Sequence, residues 1–321
     1  MRKSGTIYGS VVVAGLLMVS CQHKELCYDH SHGVDFQVVF DWQKAPQANP
    51  ASMLLYMFPE EEGKVSRFEF VSSKGGFARN DTGRYSAVGL NSDNPAWAQF
   101  RGTDRYETFE VYTHSADVLS GCGVSVETLP KADGALNERI AVAPGELWRD
   151  HVEHYELQMQ NAASQIQTLT MYPEEAVCHY SVEFINVQNL QYLEGTTLDA
   201  TLSGLAEGYC LSAADATDVP VTFPFEVSIT RSENRIEGNF LTFGDCRTVQ
   251  TQHYLRVYMV LTDQTKWYAT YDVTDQIHHA EDPRNVHIVV DGLELPKPIT
   301  GGGLVPDVDD WQPTTEVVIP M

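Results

Sequence analysis

Apolar and polar residues alternate along most of this chain. Val34, Phe36, Val38, Phe40 and Trp42 alternate with Asp35, Gln37, Val39 and Asp41, which sets one face of an extended segment against a core. Ala45-Pro46 to Pro50 breaks that pattern, and Met53 to Phe58 follows as an unbroken apolar run, the mark of a strand buried on both faces. Phe68 and Phe70 alternate with Arg67 and Glu69, Tyr85 to Leu90 reads as a further strand, and Phe109 and Val111 repeat the period. Glu60 to Gly63, Gly75-Gly76 and Asp81-Thr82-Gly83 supply the turns between them.

The rhythm resumes in the second half. Cys178, Tyr180, Val182 and Phe184 alternate with their neighbours, as do Leu198, Ala200 and Leu202. Phe223, Phe225, Val227 and Ile229 form another run, and Pro224 inside it predicts an edge strand, because proline donates nothing to a ladder. Leu255, Val257, Met259 and Leu261 turn at Thr262 to Lys266 and return through Trp267, Ala269, Tyr271 and Val273, which predicts a hairpin. Val286, Ile288 and Val290 run into the turn Asp291-Gly292. Glu146 to Tyr155 reads as a short helix or an interdomain connection, and Thr274 to His279 as a brief helix with Thr274 as its cap. Many short strands with Gly, Pro, Asn and Asp between them predict an all-β fold of two consecutive β domains.

The first residues are organised differently. Arg2 and Lys3 precede an apolar stretch from Val11 to Val19, and Met18-Val19-Ser20-Cys21 closes it. A basic start, a short apolar core and small residues before a cut site describe a secretory signal, and the stretch is too short for a bilayer span. Cys21 stands where the first mature residue would be, so the segment resembles a bacterial lipobox, with Met18 in place of the commoner leucine. That resemblance implies a lipidated Cys21, a membrane tether of acyl chains, and a chain that lies outside the cytoplasm beyond it.

Charge narrows the function classes. The 321 residues carry a formal net charge of −23, or −25 once the two cations Arg2 and Lys3 are removed. No run of four or more Lys/Arg exists to meet a phosphate backbone, so nucleic acid is not an expected partner. Five cysteines follow Cys21, at 27, 122, 178, 210 and 246, with no C-x-x-C and no metal-ligand spacing. Most read as small buried hydrophobes; if a pair forms, Cys178, Cys210 and Cys246 are the expected pool.

Several phrases carry a resemblance together. They are HGVDFQVVFDW at His32 to Trp42 followed by Ala45-Pro46, LSGLAEGY at Leu202 to Tyr209, LTFG at Leu241 to Gly244, YDVTDQI at Tyr271 to Ile277, and VDDWQ at Val308 to Gln312. The chain resembles a family of Bacteroidetes lipoproteins of unknown function related to fimbrillin-like proteins and minor fimbrium anchoring lipoproteins. The resemblance implies two transthyretin-like β-sandwich domains on an outer-membrane lipid anchor, and a role in fimbrial anchoring, assembly or surface adhesion. It implies the division 1–20 signal peptide, 21–32 lipidated tether, 33–148 N-terminal sandwich, 149–163 linker and 164–321 C-terminal sandwich. It supplies no catalytic residues. Surface lipoproteins of this group often carry acids just after the lipidated cysteine; here Gln22-His23-Lys24-Glu25 holds one. Outer-membrane attachment is therefore the firmer expectation, with the cell surface preferred over the periplasmic face.

Chemistry-bearing clusters are sparse. His30 and His32 flank a serine in the tether and read as a strand lead-in. His151 and His154, among Asp150, Glu153 and Glu156, lack the H-E-x-x-H spacing and read as a polar linker face. His278-His279 with Glu281-Asp282 reads as a solvated turn, because adjacent side chains diverge. Asp307, Asp309 and Asp310 offer hard oxygens but lack the turn glycine and terminal glutamate of a calcium loop, so no metal and no cofactor is expected. Neither G-x-S-x-G nor a phosphate-cradling glycine loop occurs, and the protein is not expected to be an enzyme. Of five tryptophans, Trp97 and Trp311 sit in loop-like context and are the candidate ligand contacts of an alternative glycan- or nutrient-binding role. The end of the chain, Thr314 to Ile319, is β-prone and reads as an edge element for strand exchange with neighbouring β-sandwich subunits.

Overall fold

The computed structural model describes residues 33–93, 96–119, 125–159, 166–246, 251–298 and 310–314. In chain order its first strands are β1 (Gly33–Phe40), β2 (Met53–Pro59), β3 (Ser66–Phe70), β4 (Gly75–Asp81), β5 (Gly83–Asn91), β6 (Ala98–Arg101), β7 (Glu110–Thr113), β8 (Arg139–Ile140), β9 (Trp148–Leu157) and β10 (Thr168–Met171). There follow β11 (Glu174–Glu175), β12 (Cys178–Ile185), β13 (Thr197–Ala206), β14 (Gly208–Cys210), β15 (Asp215–Ala216), β16 (Pro220–Thr230), β17 (Arg235–Thr242), β18 (Tyr254–Val260), β19 (Lys266–Asp272), β20 (Asn285–Asp291) and β21 (Trp311–Pro313). One short helix, α1 (Thr274–His278), lies between β19 and β20. No helix of the described residues is long and apolar enough to cross a membrane.

Four sheets result. A three-stranded sheet runs β10-β1-β4, and a five-stranded sheet runs β11-β9-β5-β2-β3. A four-stranded sheet runs β15-β14-β7-β6, and a nine-stranded sheet runs β20-β12-β17-β16-β13-β18-β19-β21 with β8 beside β16. The fold is all-β, as the alternation predicts.

The apolar run of β2 has a direct physical reason. Met53, Leu55 and Met57 face one core with Phe36, Val38 and Phe40 of β1. Leu54, Tyr56 and Phe58, on the opposite face, enter a second core with Phe109 just before β7, Val111 of β7 and Phe243 beyond β17. The five-stranded sheet is thus sandwiched, and β2, between β5 and β3, has no wet face. In the nine-stranded sheet, Val286, Ile288 and Val290 of β20 share one core with Ala269 and Tyr271 of β19, near the opposite end of the strand order. The sheet curls round its own interior.

Two local expectations are corrected. Glu146 to Tyr155 is neither helix nor linker, because β9 occupies most of 149–163 as an internal strand between β5 and β11. Its alternation is broken by a bulge: the pairing with β5 shifts between Tyr85 and Ala87, and His154 has a φ of 58°. An extra residue flips the side-chain faces, which hides a strand from a period-two reading. Pro224 does not mark an edge, since β16 lies between β13 and β17. Its partner on the β13 side is Thr201. On the other flank the pairs with β8 are at Val221 and Thr222, and those with β17 begin at Ser228. Proline fits because it fills this one-sided stretch.

Strand pairing also crosses the expected division of the chain. β7 pairs with β14, β8 with β16, and β10 with β1. The hairpin β18–β19 and the helix α1 match the sequence reading. Thr274 is the first helical residue rather than the cap; its hydroxyl instead accepts the His253 backbone N–H. No disulfide links Cys178, Cys210 and Cys246 to one another.

Candidate functional site

Two features stand out: a strand edge and a cluster of ionisable side chains. The edge is formed by the last described residues; of the expected edge element Thr314 to Ile319, all but Thr314 lies outside the described residues. β21 lies parallel to β19, with Trp311 opposite Lys266, Gln312 opposite Trp267 and Pro313 opposite Tyr268. Thr314 N–H donates to Tyr268 O at 2.8 Å, continuing the ladder. Trp311 meets the buried Tyr258 ring edge-on, with centroids 5.2 Å apart. Beside it a cavity of about 420 Å³ is lined by Tyr254, Arg256, Tyr268, Pro313 and Thr314. The Arg256 guanidinium lies over the Tyr268 ring at 4.4 Å and donates to Pro130 O at 2.5 Å.

The cluster lies at another end of the same sheet. Asp245 follows Gly244 in the segment leaving β17, His253 directly precedes β18, and His278 ends α1. A β-bulge seats His253: the β13–β16 register shifts between Leu202 and Leu205, and Gly204 inside it has a φ of 80°. That bulge turns Ser203 O toward His253 Nδ1 at 3.0 Å, and Ser203 Oγ accepts the Tyr254 N–H. His253 is fully buried, whereas the side chains of Asp245 and His278 are each 35% exposed. His253 Nε2 lies 3.2 Å from His278 Nε2 and 3.0 Å from Asp245 Oδ1, and His278 Nε2 lies 3.7 Å from Asp245 Oδ2. Asp245 and His278 open into a cavity of about 300 Å³. Behind the bulge, Glu138 Oε2 accepts the Gly204 N–H and the Thr222 hydroxyl. Burial pushes the Glu138 carboxyl above its ordinary range, against the lowering effect of those two bonds.

The residues singled out by sequence fare differently. Trp97 is only 6% exposed and packs near Phe243 between two sheets, so it is a core residue rather than a ligand platform. Trp311 is half-buried on the edge strand, in a different cluster from Trp97, and the two form no common surface. Asp310 is exposed; Cys21, Asp307 and Asp309 lie outside the described residues, as do His30 and His32. His151 turns to Arg149 and His154 to Glu60, so these two histidines share no ligand. His278 is no free turn residue: it ends α1 with its ring against His253, while the ring of His279 bonds back to Asp275 O. Asp245 and His253 were not legible as site residues, since His253 and His278 lie 25 positions apart and meet only where the β18–β19 hairpin returns α1 beside the start of β18, with Thr274 Oγ1 accepting the His253 N–H and His253 O accepting the Val273 N–H. The signal available was Gly204 inside a strand pattern, a common mark of a bulge.

Stacked sheets sharing cores, with a terminal strand docked on a sheet edge, define an all-β sandwich protein. The chain belongs to the family described as Domain of unknown function (DUF5119), whose model matches residues 20–226. It is 24% identical to a candidate fimbrium anchoring subunit of Bacteroides ovatus, Fim4B, over 353 aligned positions that span 98% of this chain and 99% of that protein. It is similar in fold to the crystal structure of a candidate adhesin from Bacteroides ovatus, with a TM-score of 0.63 and 20% identity, covering 89% of this chain and 100% of that one.

Proposed function

We propose that the protein is a non-enzymatic outer-membrane lipoprotein, tethered through Cys21, that serves in fimbrial anchoring or assembly or in cell-surface adhesion. Its partners are fimbrial or other surface β-sandwich subunits, and its own body is two transthyretin-like sandwich units facing the cell exterior. The name carried by the Bacteroides ovatus relative supports the fimbrial reading.

The observation that carries the mechanism is β21 on β19. A short segment near the end of the chain is held on a long sheet by main-chain hydrogen bonds, which is the chemistry of strand addition. The same edge accepts a strand from a neighbour when its own tail is displaced, or the tail leaves to complete a neighbour's sheet. Main-chain bonds supply affinity and alternate side-chain pockets set register.

Deletion of residues 312–321 tests this. Co-purification of fimbrial subunits with the tagged protein should fall at least tenfold while the protein stays folded. Unchanged co-purification defeats strand exchange through this edge.

A further inference from the structure

We propose that Asp245, His253 and His278 form a binding site for a zinc-sized first-row divalent metal ion. The proposal is independent of the fimbrial reading.

The donor atoms argue it first. Ser203 O is a carbonyl and only accepts, so His253 Nδ1, 3.0 Å away, carries a proton. In the neutral ring Nε2 then holds a bare lone pair, aimed at the other two side chains. Asp245 Oδ1, 3.0 Å from that nitrogen, is buried yet accepts no hydrogen bond of normal geometry. In that tautomer two acceptor atoms face each other at close range, an arrangement that a cation between them relieves. A histidine whose far nitrogen donates to a backbone carbonyl is the usual arrangement of a metal ligand, because the outer bond fixes tautomer and ring direction.

The spacing argues it second. Metal–nitrogen and metal–oxygen bonds of about 2.0–2.2 Å at tetrahedral angles place donors about 3.3–3.6 Å apart. The two imidazole nitrogens lie 3.2 Å apart, Asp245 brings Oδ1 to 3.0 Å from His253 and Oδ2 to 3.7 Å from His278, and one donor atom from each residue falls within 4.8 Å of the others. Two imidazoles and a carboxylate suit zinc, cobalt or nickel better than calcium or magnesium. With one ligand fully buried and two partly open to the cavity, a fourth position is left for water or for a group presented by a partner.

The ion would pin three separate segments: the chain leaving β17, the start of β18 and the end of α1. Binding therefore adds stability as well as charge.

The test uses the mature chain, stripped with a chelator and titrated with zinc alone. We expect one equivalent bound, a rise in melting temperature, and a tetrahedral visible spectrum when cobalt replaces zinc. His278→Ala and Asp245→Asn remove partly exposed ligands and should keep the fold; each should weaken binding at least about tenfold and abolish the cobalt spectrum. His279→Ala should change neither. An absence of zinc uptake, which a simple imidazolium–carboxylate pair predicts, overturns the proposal. So does uptake that His278→Ala and Asp245→Asn leave intact.

Discussion

Gly204 and His253 are fitted to each other: a Cβ at residue 204 would lie 2.7 Å from His253 Nδ1 and equally close to Gln252 O. The glycine's φ of 80° is also one that side chains rarely adopt. Gly204→Ala should destabilise the protein by about 1–3 kcal/mol, through strain and displacement of the buried ring. Urea unfolding measures it. A variant as stable as wild type would show that the bulge relaxes freely.

Glu138 gives a pH-dependent prediction. Its carboxyl is pushed up by burial, so the folded protein holds that proton more tightly than the unfolded chain. The sign follows: the stabilising contribution is present below the ordinary carboxylate range and is lost as pH rises through the raised value. Glu138→Gln keeps an oxygen for the Gly204 N–H and the Thr222 hydroxyl but carries no charge. The variant should be more stable than wild type near neutral pH, with the difference shrinking as the pH falls to about 4. Thermal melts across that range check it; a constant difference contradicts the account.

Glu207 joins two sheets. It is mostly buried and receives Arg101 of β6 at 2.5 Å and Arg139 of β8 at 3.1 Å. Glu207→Ala leaves Arg139 without its carboxylate partner and Arg101 with Glu110 alone, and should cost about 1–2 kcal/mol after allowance for the partial exposure of both arginines. The loss should be smaller at high salt, where the ion pairs of the wild type are already screened. Denaturation at two ionic strengths reads both effects.

The tail strand predicts a protection pattern. With residues 310–321 removed, Trp311 no longer covers Tyr258 and the β19 edge is open. Hydrogen exchange should quicken in β19 around Lys266 to Tyr268, while β12 and β17, far along the same sheet, stay protected. Uniform protection would mean that the tail adds nothing to the edge.

The sequence was readable where side-chain alternation was undisturbed. The alternation of β1, the double-faced run of β2, the β18–β19 hairpin and the α1 turn all follow from local pattern. Bulges defeated it twice. In β9 the extra residue at His154 broke the period and left a polar string resembling a linker. In β13 the bulge at Ser203-Gly204 created the seat for His253, a relation visible only after strands distant in sequence are laid side by side. Trp97 misled for another reason. Neighbouring turn residues suggested a loop, but its ring fills the space between two sheets, which no local window encodes.

We propose an exported, lipid-anchored body that presents its sheet edges outside the cell. Protease treatment of intact cells, with mass spectrometry of the N-terminus and a Cys21→Ala control, tests it most directly. The account predicts a lipidated Cys21, membrane-bound protein cleaved by external protease, and release from the membrane in the Cys21→Ala variant. An unmodified Cys21, or a lipidated protein fully shielded from protease on intact cells, would contradict it.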